Sequence, residues 1–293
     1  MMWNESDPLY STYIVNCVFN AFSAYTAIML NILTIHAMRK TSSLPKPLKT
    51  LLLSLAVSDL GVGLLTQPLY ITWMVNPANS TSYLLHTAAL VFVYSSFFSV
   101  VAISVDRFLA IHLHLRYQEL VTHKRVVAVV ISIWGFSAVF TPLWLWASED
   151  VAALVEIIIQ SFCYIITAAV YCKIYFTVQR HAKQMQAQQI QVAQNSQMES
   201  AARQRKSAVS TFYVCLVFLV CCLPEYCALV AGLISGPSTA LDGVFLYTLT
   251  MVFLNSSLNP VIYCWKMRHI RHAVIDILRN IRQNFNTATA VTS

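Results

Sequence analysis

The chain has 293 residues, of which 57% are hydrophobic and 11% are charged, and it carries a formal net charge of +7. Soluble domains carry roughly one quarter charged residues, so this composition excludes a soluble globular domain and indicates a membrane protein.

Seven apolar stretches are each long enough to cross a hydrocarbon core of about 30 Å. In chain order they are Ile14–Met38, Leu48–Met74, Leu84–Ile111, Val126–Trp146, Leu154–Phe176, Val209–Ile234 and Val244–Trp265. Backbone polar groups in lipid must find partners within their own segment, so each stretch is predicted to be a helix. The predicted fold is an all-α membrane protein, a seven-transmembrane helix bundle.

The basic residues predict the orientation of the bundle. All 19 Lys and Arg residues fall on one side of the seven spans, in the ranges 39–49, 107–125, 173–206 and 266–282. By the positive-inside rule that side is cytoplasmic and the N-terminus is extracellular. The positive charge therefore serves orientation, and no nucleic-acid partner is predicted. Two sequons, at Asn4 and Asn79, fall on the outer side and are predicted glycosylation sites.

The chain divides into three predicted regions. Residues 1–13 form an extracellular tail, 14–265 the seven-transmembrane domain, and 266–293 a cytoplasmic amphipathic helix and tail. In the last region Ile270, Val274, Ile277, Leu278 and Ile281 recur at helical spacing among Arg and His. This pattern predicts a short helix that lies on the inner leaflet and contacts membrane lipids, although a polar tail with chance spacing is the alternative.

One acidic residue, Asp59, lies at the middle of the second span, where an ionisable group is costly and therefore a functional candidate. The other spans supply polar residues at similar depth, among them Asn31, Ser96, Asn255 and Asn259. A carboxylate with neutral oxygen donors suits a small hard cation, so we predict a sodium site centred on Asp59 and no other cofactor or metal. The alternative is a protonated or water-bridged structural Asp.

Two further features are candidates for a role in a conformational change. Pro224 in the sixth span and Pro260 in the seventh each free a backbone carbonyl, which creates a weak point at which a helix can pivot. Asp106 and Arg107 form an adjacent acid and base at the inner end of the third span.

Taken in order, these motifs resemble those of the rhodopsin-like (class A) G-protein-coupled receptors. The pattern consists of Asn31, LAVSDL in span two, DRF after span three, Trp134, Tyr171, CxxP at 221–224 and NPVIY at 259–263. The resemblance implies a multi-pass plasma-membrane receptor, without enzymatic activity, that couples an extracellular ligand to a heterotrimeric G protein. The activation switch that it implies consists of Asp106, Arg107, Tyr171, Pro224, Asn259, Pro260 and Tyr263.

In this family Arg107 would be held by Asp106 at rest and released toward Tyr171 and the G protein when span six swings outward. A charge pair at the bilayer edge is compatible with this role, because Arg can extend into a cytoplasmic cavity once it is released.

The sequence departs from the family pattern at three positions. Ser82 stands in place of the usual cysteine at the outer end of span three, Cys163 in place of the span-five proline, and Cys222 in place of the Trp of CWxP. The first two departures and the short outer loop before span five together resemble the melanocortin branch, which clusters with adenosine, cannabinoid and lysophospholipid receptors. Leu69, Ser82 and His86 stand where melanocortin receptors carry the acids that bind a peptide arginine, so a melanocortin-like peptide ligand is not supported. Ala89 replaces the Asp of amine receptors and Phe253 the Lys of opsins, which disfavours an amine or a light receptor.

The predicted ligand pocket is centred on Glu225, an acid in the outer half of span six. Cys222, Glu225 and Leu229 share one helix face, which is expected to turn inward because lipid penalises a carboxylate. The predicted ligand-binding residues are His86, Ala89, Leu90, Cys222, Glu225, Tyr226, Leu229 and Leu249. Glu225 would anchor a cationic or hydrogen-bond-donating group of the ligand. The alternative is a structural Glu bonded to backbone freed by Pro224 or to Tyr226.

One function from another class stays open at this point. In a small-solute or proton transporter, Asp59 and Glu225 would form a relay through the membrane. A matched second half or broken helices would support that function, and the sequence has neither.

Overall fold

The computed structural model of the chain describes residues 8–41, 44–76, 81–113, 116–144, 147–188, 195–236 and 238–292. Within these ranges it describes only the backbone at residues 81–86, 140, 142–144, 149, 178, 180–188, 195–210 and 285–292. The predicted glycosylation sites Asn4 and Asn79, and the side chain of His86, lie outside the described part.

The described part is helical throughout, as predicted. Its helices are α1 (Tyr10–Lys40), α2 (Lys46–Gly61), α3 (Gln67–Val75), α4 (Thr81–Leu113), α5 (Tyr117–Leu120), α6 (His123–Trp144), α7 (Glu149–Gln188), α8 (Asn195–Ser235), α9 (Thr239–Lys266) and α10 (Arg268–Thr292). Among the described residues, six helical segments are long and apolar enough to cross a membrane. The fourth predicted span corresponds to α6, which is not one of these six segments. Since every element of the described part is a helix, the all-α prediction is confirmed.

The second span is one continuous helical path with an irregular turn in it. A single π-helical turn, Val62–Thr66, separates α2 from α3. Pro68, at the start of α3, lacks a backbone N–H and cannot continue the regular hydrogen-bond pattern of the preceding turn. The extra residue in this turn rotates α3 relative to α2 and so sets which outer side chains face the bundle.

Apolar side chains on the facing sides of the spans form the core. Leu52, Leu55, Ile103 and Phe253 are almost fully buried, whereas large apolar residues such as Phe162 face outward, where lipid covers them. Close packing of α2 against α4 requires a glycine, because a Cβ at Gly61 would lie 2.3 Å from the ring of Phe92.

A buried polar seam joins α1 to α9. The Thr250 hydroxyl donates to Asn16 at 2.7 Å and accepts from the Asn20 amide at 2.9 Å. Nearer the middle of the span, the hydroxyl of Ser257 donates to the carbonyl oxygen of Ser23 at 2.9 Å. Polar groups in a membrane interior need such partners, so these bonds fix the register of the first span against the seventh.

The C-terminal helix α10 begins directly after the seventh span. Ile270, Val274 and Ile277 are buried and belong to the main core, whereas Leu278 and Ile281 are 50% and 58% exposed. The predicted apolar stripe is therefore divided. Its first part packs against the bundle instead of lying on the leaflet, and only its second part is exposed to lipid.

Candidate functional site

At the basic end of the bundle, Asp106 and Arg107 form an ion pair in α4 that is almost fully buried. The Arg107 Nε donates to Asp106 Oδ2 at 3.0 Å, and the Nη2 group donates to the same oxygen. Both side chains are 4% exposed, so the charges attract with little screening by salt.

Tyr117, which sequence reasoning missed, completes this cluster. Its hydroxyl donates to the second carboxylate oxygen of Asp106 at 2.7 Å. Burial, with the neighbouring Asp106 carboxylate as the next cause, raises the pKa of Tyr117 above its usual range, so the hydroxyl keeps its proton and remains a donor. The residue lies in the one-turn helix α5, where no periodic pattern indicates its partner.

Tyr171 of the predicted switch links α7 to its neighbours. Its hydroxyl accepts from Ser104 of α4 at 3.4 Å and donates to the carbonyl oxygen of Thr211 in α8 at 3.3 Å. An outward movement of α8 would break the bond to Thr211 and allow the hydroxyl to take a new partner.

The predicted sodium site forms a polar cluster in the middle of the bundle. Asp59 is fully buried, and its carboxylate accepts from Ser96 at 3.1 Å and from the Asn259 amide at 2.8 Å. The Asn31 amide donates to the carbonyl oxygen of Ser256 at 2.9 Å and so connects α1 to the same part of α9.

Unsatisfied oxygens surround this cluster. The side-chain carbonyl oxygens of Asn31, Asn255 and Asn259 are buried without a hydrogen-bond partner among the described residues. A carboxylate, a hydroxyl and amide oxygens together form the donor set that a small hard cation prefers, so these residues fit sodium.

The proline-bearing helices carry the remaining switch residues. Pro224 lies inside α8 and Pro260 inside α9. Tyr263, one turn after Asn259, is fully buried, and its hydroxyl has no hydrogen-bond partner among the described residues. Because leaving a buried hydroxyl unpaired is costly, this tyrosine would gain from any rearrangement that supplies an acceptor.

Near the outer side of the bundle a cavity of about 80 Å³ contains Glu225. It brings together five of the eight predicted ligand-binding residues: Ala89, Leu90, Cys222, Glu225 and Leu249. Tyr226 and Leu229 do not line this cavity. The Tyr226 hydroxyl instead shares a hydrogen bond of 2.8 Å with Ser161 of α7.

The same cavity contains a second acid that the sequence analysis overlooked. The amide nitrogen of Gln160 donates to Glu225 at 3.1 Å and to Glu156 at 3.3 Å, so two carboxylates share one amide group. Tyr164 in turn donates to the amide oxygen of Gln160 at 3.3 Å. Among the described residues, no hydroxyl group, that of Tyr226 included, forms a hydrogen bond with Glu225. The available signal was Glu156 itself, an acid within the fifth predicted span.

The chain matches the family model of the 7 transmembrane receptor (rhodopsin family) over residues 30–165 and 144–263. The chain belongs to this family. It is a G-protein-coupled receptor, as the motifs predicted, and members of the family are receptors and not enzymes.

The chain is also similar to several curated relatives over most of its length. The chain is 27% identical to adenosine receptor A2a of Canis lupus familiaris over 298 residues, which cover 88% of this chain and 70% of the relative. It is also 27% identical to adenosine receptor A2b of Mus musculus, covering 87% of each chain. Melanocortin receptor 4 of Danio rerio is 26% identical over 86% of this chain and 80% of its own. None of these matches supports the transporter alternative.

Proposed function

We propose that this receptor is activated by an extracellular ligand that binds between the outer halves of α4, α7, α8 and α9, and that Arg107 transmits the change to a heterotrimeric G protein. The observation that carries the proposal is the buried ion pair of Arg107 with Asp106 at the basic end of the bundle. Family membership supports the same function, because its members couple ligands to G proteins.

The orientation follows from charge. The basic residues, including Arg107, lie at the end of the bundle that we assign to the cytoplasm, and the Glu225 cavity lies toward the other end. The N-terminus and the ligand cavity would therefore face the exterior, and membership of the receptor family supports a location in the plasma membrane.

The arrangement described above is that of a resting receptor. Arg107 is occupied by Asp106, and Tyr171 is bonded to α8 through Thr211. An outward pivot of α8 at Pro224 would separate Tyr171 from Thr211 and open a cytoplasmic cavity into which Arg107 could extend. A ligand drives this change only to the extent that it binds the open arrangement more tightly than the resting one.

The ligand cavity favours a positively charged or donor-rich group. Glu156 and Glu225 share a single amide donor, so their remaining acceptor capacity is available to a ligand. Apart from Tyr94, the remaining walls, such as Ala89, Leu90 and Leu249, are apolar and would contact the body of the ligand. A cation placed between the two carboxylates would relieve their mutual repulsion.

Sodium would stabilise the resting arrangement at Asp59. Ser96 and the amide oxygens of Asn255 and Asn259 would supply the neutral donors beside the carboxylate. When bound there, the ion supplies a compensating charge for a carboxylate that is otherwise fully buried in the membrane interior.

Substitution of the switch arginine tests the proposal. We expect Arg107→Ala to abolish G-protein activation while surface expression stays close to that of the original receptor, because only the transmitting side chain is lost. Arg282→Ala, which removes an exposed arginine from α10 at the same side of the membrane, is the matched control and should signal normally. Unimpaired nucleotide exchange with Arg107→Ala would rule out the switch role.

A further inference from the structure

A large groove on the lipid-facing side of the bundle is separate from the ligand cavity and contacts the switch only at Asp106, which lies at one end of the groove. Its volume is about 940 Å³, and its floor is the face of α4 that carries Ala102 and Val105. Val129 and Phe136 of α6 form one wall, and Phe162 of α7 forms part of the other. These three wall residues are 45%, 47% and 64% exposed. The groove has the volume of a small-molecule site and an apolar lining.

The length of the groove corresponds to one leaflet. Its floor extends along α4 from Phe98 to Leu109, which at 1.5 Å per residue is about 16 Å. A hydrocarbon core of about 30 Å makes each leaflet about 15 Å deep. Asp106, Leu120 of α5 and Val121 line the end of the groove at the basic side. At its other end the groove is lined by Ile159 and Cys163 of α7. The groove therefore runs from the middle of the bilayer to its cytoplasmic surface, given the orientation under Proposed function.

Positive charge is concentrated at the cytoplasmic end of the groove. Arg125 lines that end, and its Nη1 donates to the carbonyl oxygen of Leu120 at 2.8 Å. A guanidinium group has five N–H donors, so this bond orients Arg125 and uses only one of them. Lys124 in the first turn of α6 and Arg116 just before α5 are also exposed, and residues 116–125 contain one acid, Glu119. This stretch thus carries a net positive charge where lipid phosphates lie.

We infer that this groove is a binding site for a phospholipid with an anionic headgroup from the cytoplasmic leaflet. One acyl chain would lie along α4 between α6 and α7, in contact with Ala102 and Val105, and the headgroup would bind Arg125. Anionic lipids are concentrated in that leaflet and are attracted by basic residues near its surface. Arginine bonds to phosphate and carboxylate oxygens through charge-assisted hydrogen bonds, which a neutral sterol cannot supply.

The binding of defined lipids to the purified full-length receptor tests this inference without any G protein or ligand. Native mass spectrometry would follow the titration of delipidated receptor with phosphatidylserine or phosphatidylcholine carrying identical acyl chains. We expect phosphatidylserine to bind about tenfold more tightly, as one additional charge-assisted bond would give.

Two substitutions separate the headgroup from the acyl chain. Arg125→Gln should remove the preference for phosphatidylserine, and Arg282→Gln, an equivalent charge change on α10, should keep it. Ala102→Phe fills the floor of the groove and should weaken binding of both lipids, whereas Val139→Phe, on an exposed part of α6 outside the groove, should not.

Equal binding of the two lipids by the original receptor, or unchanged binding by Ala102→Phe, would mean that lipids merely surround the bundle and would overturn the inference. Displacement of the phospholipid by cholesterol, with no effect of Arg125→Gln, would assign the groove to a sterol instead. Thermal unfolding of each variant shows whether it is folded. Because Arg107 takes no part in this assay, a failure here is distinguishable from a failure of the proposed signalling function.

Discussion

Neutralising the acid that holds the switch arginine should activate the receptor without a ligand. Asp106 accepts two bonds from Arg107 on one oxygen and a bond from Tyr117 on the other. In Asp106→Asn the side chain is neutral, and one of its two oxygens becomes an NH₂ group that cannot accept. The substitution therefore removes the negative charge and one acceptor, and it leaves the size of the side chain almost unchanged.

The size of the effect follows from the bonds that are lost. The Arg107 bonds keep the charge of the guanidinium, whereas the Tyr117 bond changes from one to a charged group, worth about 1.5–3 kcal/mol, to a neutral one, worth about 0.5–1.5 kcal/mol, so the resting state loses about 1–2 kcal/mol. A loss of this size changes an equilibrium about 5- to 30-fold. Since Asp106 is buried, the charge is not screened and the full difference should appear.

The assay is ligand-independent GTPγS binding in membranes, normalised to the amount of surface receptor. Asp106→Asn should raise it about 5- to 30-fold, until the active state predominates. The control is Asp276→Asn, which makes the same chemical change at an exposed position on α10 and should have no effect. If Asp106→Asn signals no more than the original receptor, the ion pair does not restrain the switch.

Three further predictions concern other parts of the bundle. Sodium chloride should raise the thermal stability of the purified receptor more than an equal concentration of choline chloride, and Asp59→Asn should remove the difference; a retained response would place the ion elsewhere. Lys266 Nζ lies 3.7 Å from the ring centroid of Tyr213 and so joins the inner ends of α9 and α8. Tyr213→Leu should therefore raise ligand-independent signalling about two- to fivefold, as a cation–π contact of about 0.5–1 kcal/mol implies, and an unchanged level would argue against this link. Once an agonist is identified, Glu225→Gln and Glu156→Gln should each lower its potency tenfold or more at unchanged expression, whereas unchanged potency would make these acids structural.

The sequence could predict the fold because the membrane imposes strong constraints on it. Apolar length identified the spans, and an acid at mid-span identified Asp59 together with the polar residues that surround it. Ser96 and Asn259 were predictable partners, although they are distant in sequence, because both are polar residues at the depth of Asp59 in their own spans. The Asp106–Arg107 pair was likewise predictable from two adjacent charges at a span end.

The rest depended on the rotation of helices and the course of loops, which apolar length does not determine. Glu156 and Gln160 lie in a predicted span, but only packing shows that they turn toward Glu225. Tyr117 lies in a one-turn helix without periodicity, so its bond to Asp106 has no sequence signal. The π-helical turn after Gly61 and the groove between α6 and α7 also arise from packing and not from any single residue.

The most direct test of the account is GDP release from purified heterotrimeric G proteins by the purified receptor. Asp106→Asn receptor in lipid nanodiscs would be mixed with representatives of each Gα class. The account predicts that this variant accelerates GDP release from at least one class relative to empty nanodiscs, and that adding Arg107→Ala abolishes the acceleration. GDP release that matches empty nanodiscs for every class, from receptor shown to be folded by its thermal unfolding, would contradict it.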